Sequence, residues 1–218
     1  MTTYRLVIGN KNTSSWSLRP WLAMTHAGIA FGEVNIDLRA ADAKAQILAQ
    51  SPAGKVPALL AGGEIIWDSL AILEFLAEAH PEAGLWPASR DARAQARCVS
   101  AEMHSGFQAL RQHCPMDFLA STPKAELAEE VAADVRRIVA LWQDCRSRFG
   151  ARGPFLFGAF SAADAMYAPV VSRFRTYLPN LAAYGDDGAA QAYVEALFAL
   201  PAMMQWEEGA RAEIAAKT

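Results

Sequence analysis

The stretch Lys55-Val56-Pro57-Ala58-Leu59-Leu60-Ala61-Gly62-Gly63-Glu64-Ile65-Ile66-Trp67-Asp68-Ser69 decides how the first part of this chain folds. Val56–Leu60 and Glu64–Trp67 are short apolar runs, and Ala61-Gly62-Gly63 between them is a hairpin signal. The pattern predicts two antiparallel strands, then a helix over Ser69–Ala79 with Ile72, Phe75 and Leu76 on one side. Upstream, Tyr4–Ile8 is rich in β-favouring residues. A polar loop, Gly9–Ser15, leads into a helix over Trp16–Ala27, with Leu18, Trp21 and Leu22 at helical spacing and Gly28 placed to end it. Val34, Ile36 and Leu38 alternate with Asn35 and Asp37, as in a strand with one buried face. Asp42–Ala49 reads as a short helix. The order is β-α-β-α-β-β-α. A right-handed βαβ unit, a hairpin and a closing helix make a small mixed sheet, the layout of the thioredoxin fold.

After His80 the texture changes. Pro81, Gly84 and Pro87 mark a linker, and no strand pattern survives beyond it. Ala-rich amphipathic stretches follow over Ser89–Cys114, Pro123–Phe149, Ser161–Leu178 and Gly188–Leu197, with a short one after Pro201. The expected organisation is an α/β thioredoxin-like domain over residues 1–80, a linker over 81–88 and an all-α domain over 89–218.

Composition narrows the function classes. The 218 residues include 20 basic and 23 acidic side chains without a basic block, so nucleic acid is a poor partner. No apolar run is long enough to span a bilayer, and the N-terminus lacks the layout of a signal peptide, so a soluble cytoplasmic protein is expected. Cys98, Cys114 and Cys145 are widely spaced and form neither C-x-x-C nor a zinc pattern with the histidines. They read as reduced thiols, and no metal is expected.

Three short motifs carry chemistry. In Asn12-Thr13-Ser14-Ser15-Trp16-Ser17-Leu18-Arg19-Pro20, several hydroxyls crowd one helix N-terminus. Capping needs one of them, Ser15 or Ser17, if Pro20 falls in the first turn where its missing N–H costs little. Ser14 is then spare. In Val56-Pro57, the proline opens a strand. It marks either an edge-strand turn or a cis bond that turns the Val56 backbone towards a ligand. Asp68-Ser69 lies between strand and helix. It is an N-cap, or an anchor for a free amino-acid head group, with the helix N-terminus and Ser69 taking the carboxylate and Asp68 the ammonium.

The order and spacing of these motifs resemble the cytosolic glutathione transferases. Ser14-Ser15-Trp16-Ser17-Leu18-Arg19 resembles the S-S-x-S-x-R signature of the zeta class, which includes maleylacetoacetate isomerases. Pro52-x-Gly54-Lys55-Val56-Pro57-x-Leu59 resembles the family's segment before its cis-proline, and Asp68-Ser69-x-Ala71-Ile72 its γ-glutamyl motif. Phe160-Ser161-Ala162-Ala163-Asp164 extends the likeness into the helical part as a capping box with a staple residue.

The resemblance implies a homodimer that binds glutathione as co-substrate. It implies that Ser14 donates a hydrogen bond to the thiol, with Ser15 and Ser17 as the other candidates. It implies further that Val56 and Pro57 hold the cysteinyl part, Asp68 and Ser69 the γ-glutamyl end, and Lys55 the glycine carboxylate. The electrophile pocket is expected between the two parts, with Met103, Phe107, Leu110 and Arg111 as a helical stripe along its wall, which favours a small hydrophobic electrophile. Trp16 stands where the zeta class carries Cys, and the arginines expected for a dicarboxylate isomerase are not clear in the sequence. Transfer to an electrophile is therefore read first. Glutathione-dependent cis-trans isomerisation and binding without turnover are the alternatives. A thiol oxidoreductase is disfavoured, because the first 80 residues hold no cysteine.

Overall fold

Strand β1 (Tyr4–Gly9) lies at the centre of a four-stranded sheet of order β2-β1-β3-β4. It pairs in parallel with β2 (Phe31–Ile36), Val7 opposite Val34, and antiparallel with β3 (Ala58–Ala61), Leu6 opposite Leu59. Strand β4 (Glu64–Ile66) returns beside β3 through the predicted glycine turn. The helices are α1 (Ser15–His26), α2 (Ala43–Gln50) and α3 (Ser69–Ala79) in this unit, then α4 (Arg90–Ser105), α5 (Gln108–His113), α6 (Glu129–Phe149), α7 (Ala162–Tyr177), α8 (Ala189–Phe198) and α9 (Pro201–Ala215). The computed structural model describes residues 3–216. It is a thioredoxin-like unit followed by an all-helical one. Among the described residues no helix is long and apolar enough to cross a membrane.

Several bounds depart from the sequence reading for visible reasons. Strand β2 starts earlier and stops at Ile36, because the Asn10 side chain draws the chain off the sheet. Its oxygen accepts the Leu38 amide at 2.9 Å and its nitrogen donates to Asp37 at 3.1 Å. Strand β3 begins at Ala58, after a cis Val56–Pro57 bond. Helix α1 begins at Ser15, so Pro20 sits in its second turn and not the first. Ser14 is then the N-cap by position, and its hydroxyl makes no capping bond.

The predicted Ser89–Cys114 helix is broken. Gly106 is extended and Phe107, at φ 58°, is in the left-handed region, which turns its ring inward and leaves the residue 7% exposed. Arg111 closes the gap by donating to the carbonyls of Met103 and His104, two of the unpaired acceptors in the last turn of α4, while Gln108 takes that of Ser105. Helix α6 begins six residues later than Pro123 because the preceding segment runs along the end of α7. There the Thr122 amide donates to the Thr176 carbonyl at 2.9 Å and Lys124 to Tyr177 at 3.0 Å. Helix α9 is longer than expected and turns back onto the sheet unit, where the Trp206 indole donates to the Lys11 carbonyl at 2.9 Å.

Helix α7 is buried at every position but Arg175, the pattern of a helix enclosed on all sides. Its start is the predicted capping box. Asp164, fully buried, accepts the Ser161 amide at 2.8 Å, the Ser161 hydroxyl at 2.9 Å and the Leu156 amide at 3.1 Å. Phe160 covers it, its ring 4.1 Å from that of His26 on α1. Replacing Asp164 by Ala orphans those donors in a dry site and should cost about 3 kcal/mol in chemical denaturation. Burial raises the Asp164 carboxyl to about 6, above its unfolded range, so the native state holds that proton more tightly. The stability gained this way is full below pH ~4 and is lost as pH rises through about 6. Asp164→Asn lacks this titration, so the stability of wild type relative to Asp164→Asn should fall over that window and stay level above it.

Candidate active site

Two cavities open at the N-terminus of α1, on either side of one indole. The first, about 530 Å³, lies over the thioredoxin-like unit. Ser14 and Ser15 line it at one end, Lys55, Val56 and Pro57 along one wall, and Asp68 at another point. Ser17 and Ser69 are fully buried behind these walls. The structure thus gathers Ser14, Ser15, Lys55, Val56, Pro57 and Asp68 around one space and sets Ser17 and Ser69 in the layer supporting it.

Local chemistry fixes each group. The Ser17 hydroxyl accepts the Gly9 amide at 3.1 Å, and the Ser14 hydroxyl donates to Ser17 Oγ at 2.7 Å. Each hydroxyl has one proton and two lone pairs, so this pair can also run the other way, Ser17 donating to Ser14. Glycine at position 9 leaves room for this approach, since a Cβ there would stand 3.1 Å from Ser14 Oγ and displace the Leu38 side chain. Asp68 caps α3, its Oδ1 accepting the Leu70 amide at 3.0 Å. Ser69 accepts from Arg19 at 3.2 Å, which leaves its own proton free to donate. Lys44 donates to the Gly54 carbonyl at 3.1 Å and steadies the turn before Lys55.

The second cavity, about 470 Å³, lies on the helical side. Arg19, Arg111 and Arg173 line it, with Tyr177, Met116 and Asp117. Trp16, Ser15 and Thr13 belong to both cavities. Trp16 is held between two guanidinium groups, Arg19 at 4.2 Å and Arg111 at 5.1 Å from its ring centre. Arg19 is enclosed, with its Nε unpartnered. Burial pushes its pKa down to about 9, and repulsion from Arg111 and Arg173 adds to this. Arg173 is pushed down to about 10 by burial and by Arg111, and donates to the carbonyls of Cys114 at 2.8 Å and Pro169 at 3.1 Å. Burial also lowers Arg111, against an opposing pull from Asp134. All three remain charged at neutral pH.

The expected apolar wall is not there. Met103, Phe107 and Leu110 point into the hydrophobic core, and of that stripe only Arg111 reaches the cavity. Two turns of helix separated by the break at Phe107 do not present one continuous face. Arg173 was missed, yet a signal exists. Met166, Val170, Arg173 and Tyr177 fall on one helical stripe, and a cation on such a stripe is out of place. His104, which also meets the site, has no such signal. Among the described residues no group of three or more His, Cys, Asp or Glu side chains could hold a metal ion.

Residues 13–79 match the family model "Glutathione S-transferase, N-terminal domain", and residues 125–208 match "Glutathione S-transferase, C-terminal domain". A probable maleylacetoacetate isomerase of Caenorhabditis elegans is 37% identical over 100 residues, covering 46% of each chain. A maleylacetoacetate isomerase of Rhizobium meliloti (strain 1021) is 41% identical over 88 residues, 40% of this chain and 41% of the other. The matched stretch thus spans less than half of either relative. A crystal structure of a glutathione transferase homologue from Burkholderia gl BGR1, with bound glutathione, superposes with a TM-score of 0.71 at 22% identity, over 96% of this chain and 98% of that one.

Proposed function

This chain belongs to the glutathione S-transferase family, and we propose that it activates the glutathione thiol through Ser14 for attack on a small electrophile that carries a carboxylate. The observation that carries the reading is the pairing of two cavities across Trp16, one lined by Ser14 and Asp68, the other by three guanidinium groups. Glutathione occupies the first. Its sulfur lies at Ser14, its cysteinyl backbone at Val56 before Pro57, its γ-glutamyl ammonium at Asp68 and its glycine carboxylate towards Lys55. Ser17 accepts the Gly9 amide, and with glutathione bound the 2.7 Å Ser14–Ser17 hydrogen bond reverses, Ser17 donating to Ser14 so that the Ser14 proton is free for the sulfur. The positive end of α1 favours the thiolate further. The thiol proton passes to solvent, and the thiolate forms a C–S bond with the electrophilic carbon in the second cavity, either expelling a leaving group with its bonding pair or adding to a conjugated double bond whose electron pair then takes up a proton.

The arginines decide the electrophile's chemistry. A hydrophobic electrophile is favoured only if Met103, Phe107 and Leu110 line its pocket, and they are core residues. Three guanidinium groups lining one space instead suit an anion, because their charges add there and the N–H groups not bonded to Ser69, Met103, His104, Cys114 and Pro169 can donate to a carboxylate. The same feature favours a second reading, cis-trans isomerisation of a conjugated acid. There the thiolate adds to one carbon of the double bond, the adduct rotates about the resulting single bond, and elimination restores the double bond and the thiolate. The maleylacetoacetate isomerase names of the partial relatives agree with this reading. The two reactions share the thiolate and the anion pocket and differ in whether the adduct is released. A cytoplasmic homodimer is part of the proposal. Light scattering at micromolar concentration should give about twice the 23.6 kDa chain mass, and a monomer would count against it.

Ser14→Ala should lower turnover about ten- to hundredfold at neutral pH, since a hydrogen bond to a charged group is worth roughly 1.5–3 kcal/mol. The apparent pKa of bound glutathione should climb towards ~8.5, and part of the lost rate should return in alkali. Glutathione affinity should change little. An unaltered pH–rate profile would remove Ser14 from this role. Arg111→Gln should raise KM for an unsaturated carboxylic acid by about tenfold and leave KM for a neutral aryl halide nearly unchanged. Equal effects on both electrophiles would argue against an anion pocket.

A further inference from the structure

Asp68 is held from two separate parts of the chain. Its Oδ1 accepts the Leu70 amide at the start of α3. Its Oδ2 lies 3.0 Å from Nε2 of His104, in the last turn of α4. The contact brings an imidazole nitrogen to ion-pair distance of the carboxylate. The other ring nitrogen, Nδ1, is buried without a partner. The imidazole packs at right angles to the Trp16 ring, centroids 5.2 Å apart and planes at 89°. The backbone of His104 is fixed as well, because Arg111 donates to its carbonyl at 3.1 Å. A histidine from the helical unit is therefore placed by Trp16 and Arg111, and its side chain makes its polar contact with a carboxylate of the thioredoxin-like unit.

Capping α3 needs only one oxygen of Asp68. The second oxygen and the remaining lone pairs are available to other donors, and the carboxylate plane can turn about its terminal torsion. The imidazole 3.0 Å from Oδ2 restrains that plane. We infer that His104 is a positioning residue, which orients Asp68 to receive the α-ammonium group of glutathione, so that the helical unit helps to set the amino-acid end of the glutathione site. The inference rests on the glutathione reading above and deepens it. Arg19 also feels the Asp68 charge, and it approaches from α1, where it donates to Ser69.

The test compares glutathione with glutaryl-cysteinylglycine, which lacks only the α-amino group, by calorimetric titration of the intact protein. Wild type should bind glutathione more tightly than the analogue. His104→Ala should lose about tenfold of glutathione affinity and leave the analogue's affinity unchanged. His104→Gln, whose amide reaches the position of Nε2, should restore most of the difference. His104→Asn, whose shorter amide does not reach Oδ2, should behave as His104→Ala and serves if the alanine variant does not fold. Adding Asp68→Ala to His104→Ala should remove little more than Asp68→Ala alone. Equal weakening of both ligands in His104→Ala or His104→Asn, or no weakening in either variant, overturns the positioning role and leaves the glutathione site standing. If Asp68→Ala itself still prefers glutathione over the analogue, the ammonium anchor lies elsewhere and the site assignment falls with the inference.

Discussion

Everything at the site depends on the packing of α1 against α7. Helix α1 is buried without interruption from Ser17 to Met24, with the sheet and α3 on one side and α7 and α9 on the other. Helix α7 can be enclosed because Ala162, Ala163, Ala165 and Ala168 keep it slim, and because the Asp164 capping box satisfies its first amides without water. A helix seated between two units in this way has little freedom to shift. Its N-terminus, and with it Ser14 and Trp16, is set by the core and not by the loop that leads into it.

That same seat places charge where a fold alone would not choose it. Burying guanidinium groups costs solvation, and a core of matched apolar side chains would be as stable or more so. Arg19 recovers part of the loss from Ser69 and the face of Trp16, and Arg173 from two backbone carbonyls. Among the described residues neither has a carboxylate at hydrogen-bond distance; Arg19 is repelled by both Arg111 and Arg173, and Arg173 by Arg111. Such an arrangement is retained more readily when an anion completes it, and by mass action that anion would in turn stabilise the folded chain.

The two units are joined at a second place, away from the cavities. Lys11 pairs with Glu33 at 2.8 Å and lies over the rings of Trp21 and Trp206, at 4.9 and 5.6 Å. Gly209 permits this, since a Cβ there would stand 2.7 Å from the Lys11 side chain. Helix α9 is thereby tied to the start of the polar loop that carries Asn12 and Thr13. Asn12 in turn binds Asp117 at 2.9 Å and the Leu119 amide at 2.9 Å, on the helical side. The loop before α1 is braced from both units, which suits a segment that must hold a hydroxyl in one place.

Short-range patterns determined much of this protein. Alternation and turn residues gave the element order of the sheet unit, because each strand and hairpin is encoded within a few residues. The strand–loop–helix motifs brought Ser14, Ser15, Lys55, Val56, Pro57 and Asp68 to one cavity, because that unit's topology carries the loops they lie on to one end of the sheet. Ser161-x-x-Asp164 announced the start of α7 for the same local reason. What needed the tertiary structure was everything that depends on distant partners. Phe107 breaks a helix that reads as continuous, because Arg111 can satisfy the freed carbonyls and the core accepts the ring. Met103 and Leu110 follow that break inward. Arg19, Arg111 and Arg173 come from three helices with no common spacing, and His104 meets Asp68 only because α4 lies against α3. A sequence records which side chains share a face of one element. Which faces converge on one space is decided by packing between elements, and the character of the second cavity, three arginines set among apolar side chains, was fixed there.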